Sequence, residues 1–175
     1  MIRSLPLVLL LLLALAVPTA QAAPAGIPLW EGAETGMSAD EVLAVFPEAS
    51  PVPRGERGKR GPQRGELRVR IDRVEVAGAP YGARFYFDRD GLARVILDRQ
   101  LQGEVRFSQG LKMAGSVREA LSEHYGEPVK RETSNDGYLV AWHKGDKVVR
   151  LVVITQNYKL KSFQVVFEPR GTGDE

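Results

Sequence analysis

The chain has 175 residues, 24 basic and 22 acidic, with two histidines and no cysteine. Near-balanced charge argues against a general nucleic-acid binder, which would be far more basic. The missing cysteine rules out thiolate zinc sites, iron–sulfur clusters, disulfides and thiol nucleophiles.

Taken in chain order, Arg3, the apolar run Leu5–Val17 and the small residues Ala20 and Ala22 have the layout of a secretory signal peptide, residues 1–22, cleaved near Ala22–Ala23. An uncleaved anchor is the alternative, but the apolar run is shorter than the about 20 residues that span a bilayer core. The mature chain is therefore expected to be periplasmic or secreted, with no transmembrane span. About 153 residues then remain, the size of one domain. Residues 23–30, rich in Pro, Gly and Ala, read as a mobile leader, residues 31–170 as the globular domain, and 171–175 as a frayed tail.

The first helix is announced by Ser38 as N-cap and Glu41 three residues later, a capping box, with Val42, Val45 and Phe46 as its apolar stripe and Pro47 as its stop. From Leu67 the period falls to two. Leu67, Val69 and Ile71 alternate with Arg68 and Arg70, giving a half-buried strand with a basic outer face. The apolar phase moves to Val74 and Val76, which places a bulge near Asp72–Arg73. Ala77–Gly82 reads as a turn, Ala83, Phe85 and Phe87 as the next inner face, Asp88–Gly91 as a tight hairpin, and Leu92–Leu97 as the returning strand. A second helix is expected to start at Ser116, with Glu119 completing its box, and to end at Gly126 and Pro128. Strands follow at Tyr138, Val140 and Trp142, then at "VVRLVVITQ", whose continuous apolarity suits a central strand, and at Phe163, Val165 and Phe167.

The order is helix, three strands, helix, three strands. The two capping boxes are offset by 78 residues, which suggests two copies of one unit. The expected class is α+β, built of two tandem αβββ modules over about 36–99 and 111–168. That order allows one continuous sheet with both helices on one face.

The stretch "GMSADEVLAVFPEA", Gly36 to Ala49, is similar to the helix start of the outer-membrane assembly lipoprotein family BamE/SmpA. The order of elements resembles the wider fold group of the β-lactamase inhibitory protein (BLIP-like). The resemblance implies an extracytoplasmic, tandem helix-plus-sheet protein that binds other proteins on an exposed sheet face. The chain departs from the lipoprotein family in lacking a lipobox cysteine and in its second module. No functional residue of the family maps onto it.

The most unusual segment is "RGERGKRGPQRGELRVRIDR", Arg54 to Arg73. Arg54, Arg57, Lys59, Arg60, Arg64, Arg68 and Arg70 are its candidate binding residues, because arginine's fork suits phosphate and carboxylate. Its other reading is a solvated insertion rich in Gly and charge. No aromatic interleaves the basic residues of the loop, so nucleic-acid stacking is not supported. "DRDG" lacks the rest of a calcium loop and reads as a hairpin turn. His124 and His143 have ordinary local explanations, at a helix end and a strand end. Asp88, Asp90 and Asp98 are the nearest candidates for a hydrolase carboxylate pair, with solvated turn and strand-end residues as the plainer reading. Tyr81, Tyr86 and Tyr158 are expected off the core stripes, and would give the outer face beside Arg68 and Arg70 an interface composition.

No metalloprotease, nucleophile-elbow, phosphate-loop or dinucleotide glycine motif occurs, so no cofactor, metal or catalytic residue is expected. The leading expectation is an exported noncatalytic binding or scaffolding protein of the bacterial cell envelope, with a protein partner on a sheet face, the arginine-rich loop or both. The alternative is a binder of anionic lipid or another polyanion through residues 54–73. A hydrolase comes third.

Overall fold

The computed structural model describes residues 26–57 and 65–171. The elements are β1 (Pro28–Trp30), β2 (Ala33–Glu34), α1 (Ala39–Val45), β3 (Ser50–Pro51), a 3-10 turn (Arg54–Glu56), β4 (Glu66–Val76), β5 (Ala79–Asp88), β6 (Gly91–Arg99), α2 (Phe107–Tyr125), β7 (Lys130–Ser134), β8 (Gly137–Lys144), β9 (Lys147–Gln156) and β10 (Lys159–Pro169). The class is α+β. Eight strands form one antiparallel sheet in the order β3-β4-β5-β6-β10-β9-β8-β7.

The sheet is two meanders joined at one seam. Tight turns keep neighbours in sequence adjacent in space, so β4-β5-β6 and β7-β8-β9-β10 each fold locally. The seam is the pairing of β6 with β10, where Ile96 faces Val166 and Leu97 faces Val165. Residues of α1, α2, β1 and the inner sheet face share one core cluster, so both helices and the N-terminal hairpin lie on the same side. Trp142, Phe85, Phe87 and Phe163 are its large buried rings.

The capping box of α1 is present. Glu41 N donates to Ser38 Oγ, while Ser38 N donates to Glu41 Oε2 at 2.7 Å. Ser38 N and Ser38 Oγ both donate to Glu41 Oε2, which favours the ionised carboxylate, so Glu41 titrates below its ordinary value of 4.5. A group lowered in the folded state gives stability that is present above 4.5 and lost as pH falls through the folded value. Ser38→Ala is expected to cost about 1 kcal/mol, read by urea unfolding at neutral pH. The same variant should lose part of the acid sensitivity that Glu41 confers. Within the apolar stripe, Val42 and Phe46 are buried, but Val45 is 43% exposed, because the short helix turns only one narrow side inward.

Several expectations need correction. The leader is not mobile at its end: Pro28–Trp30 forms β1, with Leu29 fully buried. Lys147 Nζ donates to Leu29 O at 3.1 Å and lies 5.2 Å from the Tyr125 ring centre, and Trp30 stacks on Phe46 at 5.5 Å. Burial, helped by nearby Lys144, pushes the Lys147 ammonium below its ordinary value. The turn expected over Ala77–Gly82 is only Ala77–Gly78, and Tyr81 is a fully buried core residue in phase with Ala83 and Phe85. Its neighbours Pro80 and Gly82 masked a strand's alternation.

Helix α2 starts nine residues before Ser116, at Phe107, and Ser116 sits inside it. Gln109 Oε1 accepts from Arg106 N at 3.0 Å, so a glutamine took the role given to Glu119. The start was hidden because Arg106 is a poor N-cap by type. The end at Gly126, with φ of +85°, is as expected. The second meander has four strands, because β7 (Lys130–Ser134) is exposed along its length and carries no apolar alternation. Charged side chains suit an edge strand, since they oppose pairing with another chain.

The bulge expected near Asp72–Arg73 is present, between Ile71 and Val74. A second bulge between Leu67 and Val69 pairs Leu67 with Tyr86, removing Leu67 from the inner face. The tail from residue 172 lies outside the described residues.

Candidate functional site

The side of the sheet opposite the helices carries the site. Alternation on each strand sends a second set of side chains there, and register aligns them. Arg84, Ile96, Val166, Arg150, Ala141 and Lys130 form one cross-strand row from β5 to β7. Glu168, Val148 and His143 form another, across β10, β9 and β8. Together with Arg94, Leu139 and Val152, all of these residues except Arg84 line a concavity of about 630 Å³. Its floor residues Ile96, Ala141, Val148 and Val166 are buried yet stand apart from the main core cluster.

Charge is concentrated within that apolar floor. Glu168 is 9% exposed. It forms an ion pair with Arg150, and Arg94 Nη1 stands 3.9 Å from its other oxygen. The Arg94 guanidinium also lies 5.2 Å from the ring centre of Tyr86. Two guanidinium groups therefore share one buried carboxylate. Such clusters contribute little net stability, yet removing one member leaves a costly uncompensated charge. Beside it, Asp98 pairs with Arg84 and accepts from Gln164 Nε2 at 2.6 Å. Lys130 Nζ pairs with Glu132 at 2.9 Å on the edge strand.

The expected binding residues fall elsewhere. Lys59, Arg60 and Arg64 lie outside the described residues. Arg54 opens the 3-10 turn, and Arg57 Nε donates to Val52 O at 2.9 Å. Arg68 Nε is 3.0 Å from Glu66 Oε2, and its guanidinium lies over the Phe87 ring. Arg70 pairs with Glu56 at 3.1 Å and Asp72 at 3.2 Å. Glu56, Glu66 and Asp72, the carboxylates of the basic segment, are thus all engaged by its own arginines. None of Arg54, Arg57, Arg68 or Arg70 lines the concavity. Arg70 does sit across from Arg84 in register, which extends the first row to β4.

Of the tyrosines expected on the outer face, Tyr86 is there under Arg94, Tyr81 is in the core, and Tyr158 is 82% exposed in the β9–β10 turn. Burial pushes the Tyr81 phenol up, and Arg99 draws it partly back. The two histidines are kept apart by the sheet. His143 lines the concavity, while His124 sits on α2 against the Tyr125 ring at 4.6 Å. Asp88 Oδ1 accepts from Asp90 N at 2.8 Å within the hairpin turn, well away from Asp98 in its pair with Arg84. Among the described residues no group of three or more His, Asp or Glu could hold a metal ion, and no helix is long and apolar enough to cross a membrane.

The residues that sequence reasoning missed are Arg94, Arg150 and Glu168. Their signal was present: Arg94 in "LARVIL" and Arg150 in "VVRLVV" are single cations inside apolar strand runs.

No protein-family model matches the chain, and no curated protein matches it. Among solved structures it is similar to a DUF4309 family protein (YjgB) from Bacillus subtilis subsp. subtilis str. 168, at 18% identity and a TM-score of 0.41, over 75% of this chain and 78% of that one. A likeness of that degree carries no functional argument.

Proposed function

We propose that the protein is an exported, noncatalytic binding or scaffolding protein of the cell envelope, which engages a protein partner through the open face of its sheet. The observation that carries this is the composition of the concavity. A floor of Ile96, Val148, Val152 and Val166 is set about with Arg94 and Arg150, and the Arg94 guanidinium lies over the neighbouring Tyr86 ring. Arginine is enriched where proteins bury surface against one another. The chain reads as two tandem helix-plus-meander units whose joined sheet presents that face. Export rests on the signal-like residues 1–22, which lie outside the described residues. Polyanion binding through residues 54–73 is the weaker reading, since Arg57, Arg68 and Arg70 are held by the segment's own carboxylates.

A photo-crosslinking residue at Val152, on the concavity, should give a discrete protein adduct in the native envelope, whereas one at exposed Arg54 should not. Adducts to lipid alone, or none at Val152, would overturn the proposal. An adduct from Arg54 alone would return the basic segment to first place.

A further inference from the structure

The two edges of the large sheet are finished differently. Strand β7 is exposed along its length and carries Lys130, Arg131 and Glu132, which oppose pairing with another chain. At the opposite edge β3 has 2 residues against the 11 of β4, and pairs only Ser50 with Arg70 and Pro51 with Val69. Among the described residues, β4 from Asp72 to Val76 therefore has a strand on the β5 side alone. A strand so placed keeps a row of main-chain donors and acceptors for another chain. The bulge after Ile71 and the exposed Arg73–Glu75 pair, at 3.4 Å, guard it against indiscriminate pairing and leave selection to side-chain fit.

That fit is offered on the helix side. Helix α1 spans only Ala39–Val45 and leaves a recess of about 500 Å³ over the uncovered end of β4. Trp30, Phe46, Val74 and Val76 are its apolar part, and of these Trp30, Val74 and Val76 are only half-buried. Exposed Glu31 and Glu48 also line it, and neither has an ion-pair partner among the described residues. None of these residues lines the concavity of the open face, so this is a second surface.

A strand added to β4 turns every second side chain toward the recess, where apolar groups meet Trp30, Val74 and Val76. A basic side chain among them meets Glu31 and Glu48, whereas an acidic one brings like charge onto both. A helical segment has its own main-chain groups already paired, and so gains nothing from the strand edge. We propose that the uncovered end of β4 takes an extended peptide segment of a partner protein, which adds as a further strand and alternates apolar with Lys or Arg side chains.

The test is a selection of random displayed peptides on the purified mature chain, followed by measurements on the enriched synthetic peptides. The enriched set should carry Lys or Arg together with Val, Ile, Leu or aromatic residues at alternate positions. N-methylating alternate backbone nitrogens of a peptide should weaken binding by about 10-fold or more in one phase and little in the other, as a paired strand requires. Hydrogen exchange within residues 72–76 should slow in the complex. Both measurements use the unaltered protein, so they are independent of whether any variant folds. Glu31→Lys combined with Glu48→Lys, both at exposed positions, should also weaken binding by about 10-fold or more, whereas Val152→Arg on the open face should not. Equal effects of N-methylation in the two phases, unchanged exchange within residues 72–76, or no enriched peptide would overturn the inference. Peptides lost on Val152→Arg but unaffected by the two glutamate changes bind the open face, which overturns the strand-edge site and leaves the proposed function standing.

Discussion

Trp142→Ala is expected to lower the unfolding free energy by about 3–5 kcal/mol, the range for deleting a buried large aromatic. Trp142 has no exposed surface and lies on β8, opposite Val149 of β9. Helix α2 packs over it, and Trp142 Nε1 donates to Ser122 Oγ at 3.2 Å. The substitution removes the ring's contacts on both sides and leaves the serine hydroxyl facing a void. In a chain of this size the melting temperature should fall on the order of 10 °C. Ile154→Ala, at a residue 46% exposed, should change stability by about 0.5 kcal/mol or less. Trp142→Phe keeps most of the volume while dropping the hydrogen bond, and so should recover the larger part of the loss. Because one core cluster runs through both meanders, the variant should still unfold in a single transition. Two transitions, or a loss no larger than that of Ile154→Ala, would contradict the account.

What was legible in the sequence follows where side-chain periodicity speaks. Phe85 and Phe87, and Phe163, Val165 and Phe167, recur at every second residue, and all lie inward as their spacing implies. The bulge after Ile71 showed itself because the apolar phase slips there by one residue. Strand β7 was silent because an edge strand with both sides in solvent has no pattern to display. The beginning of α2 was silent for a different reason. Its cap is made by the side chain of Gln109, and the more conventional Ser116 stands nine residues downstream, inside the helix. The candidate site does not stand out in the sequence, because the densest charge lies elsewhere, in residues 54–73. Within that dense run, Arg57, Arg68 and Arg70 meet the run's own carboxylates, whereas Arg94, Arg150 and Glu168, separated by up to 74 residues, become neighbours only when β6, β10 and β9 pair. Long-range register, which sets that meeting, depends on the whole sheet and cannot be read from any one strand.

Gly91→Ala is the second large effect, and it bears on the stretch that begins at Gly36. The segment before α1 is pinned to the start of β6 by two backbone bonds, Gly36 N to Leu92 O at 2.9 Å and Leu92 N to Met37 O at 2.8 Å. The two chains approach so closely that a methyl group on Gly91 would stand 2.5 Å from Gly36 C and 2.7 Å from its Cα. Gly91 also has φ of +114°, a conformation that residues with a side chain rarely adopt. Backbone strain alone costs about 1–3 kcal/mol, and the clash with backbone, which cannot turn aside like a side chain, adds to it. Gly78→Ala is the control, because Gly78 shares a positive φ of +70° but has nothing within 4 Å of the added methyl. The difference between the two variants therefore reports the blocked approach together with the more extreme φ of Gly91. Gly91→Ala is expected to cost at least about 2 kcal/mol more than Gly78→Ala, adding strain to a blocked backbone approach. It should also speed hydrogen exchange at the α1 amides of Val42 and Phe46, since it releases the segment that positions the helix. Equal losses in the two variants, or unchanged exchange in α1, would mean that the approach of Gly36 to Gly91 does not anchor the helix. If the expected difference appears, the glycine opening "GMS" is required by what it touches 55 residues later, and the capping box after it sets only where the helix starts.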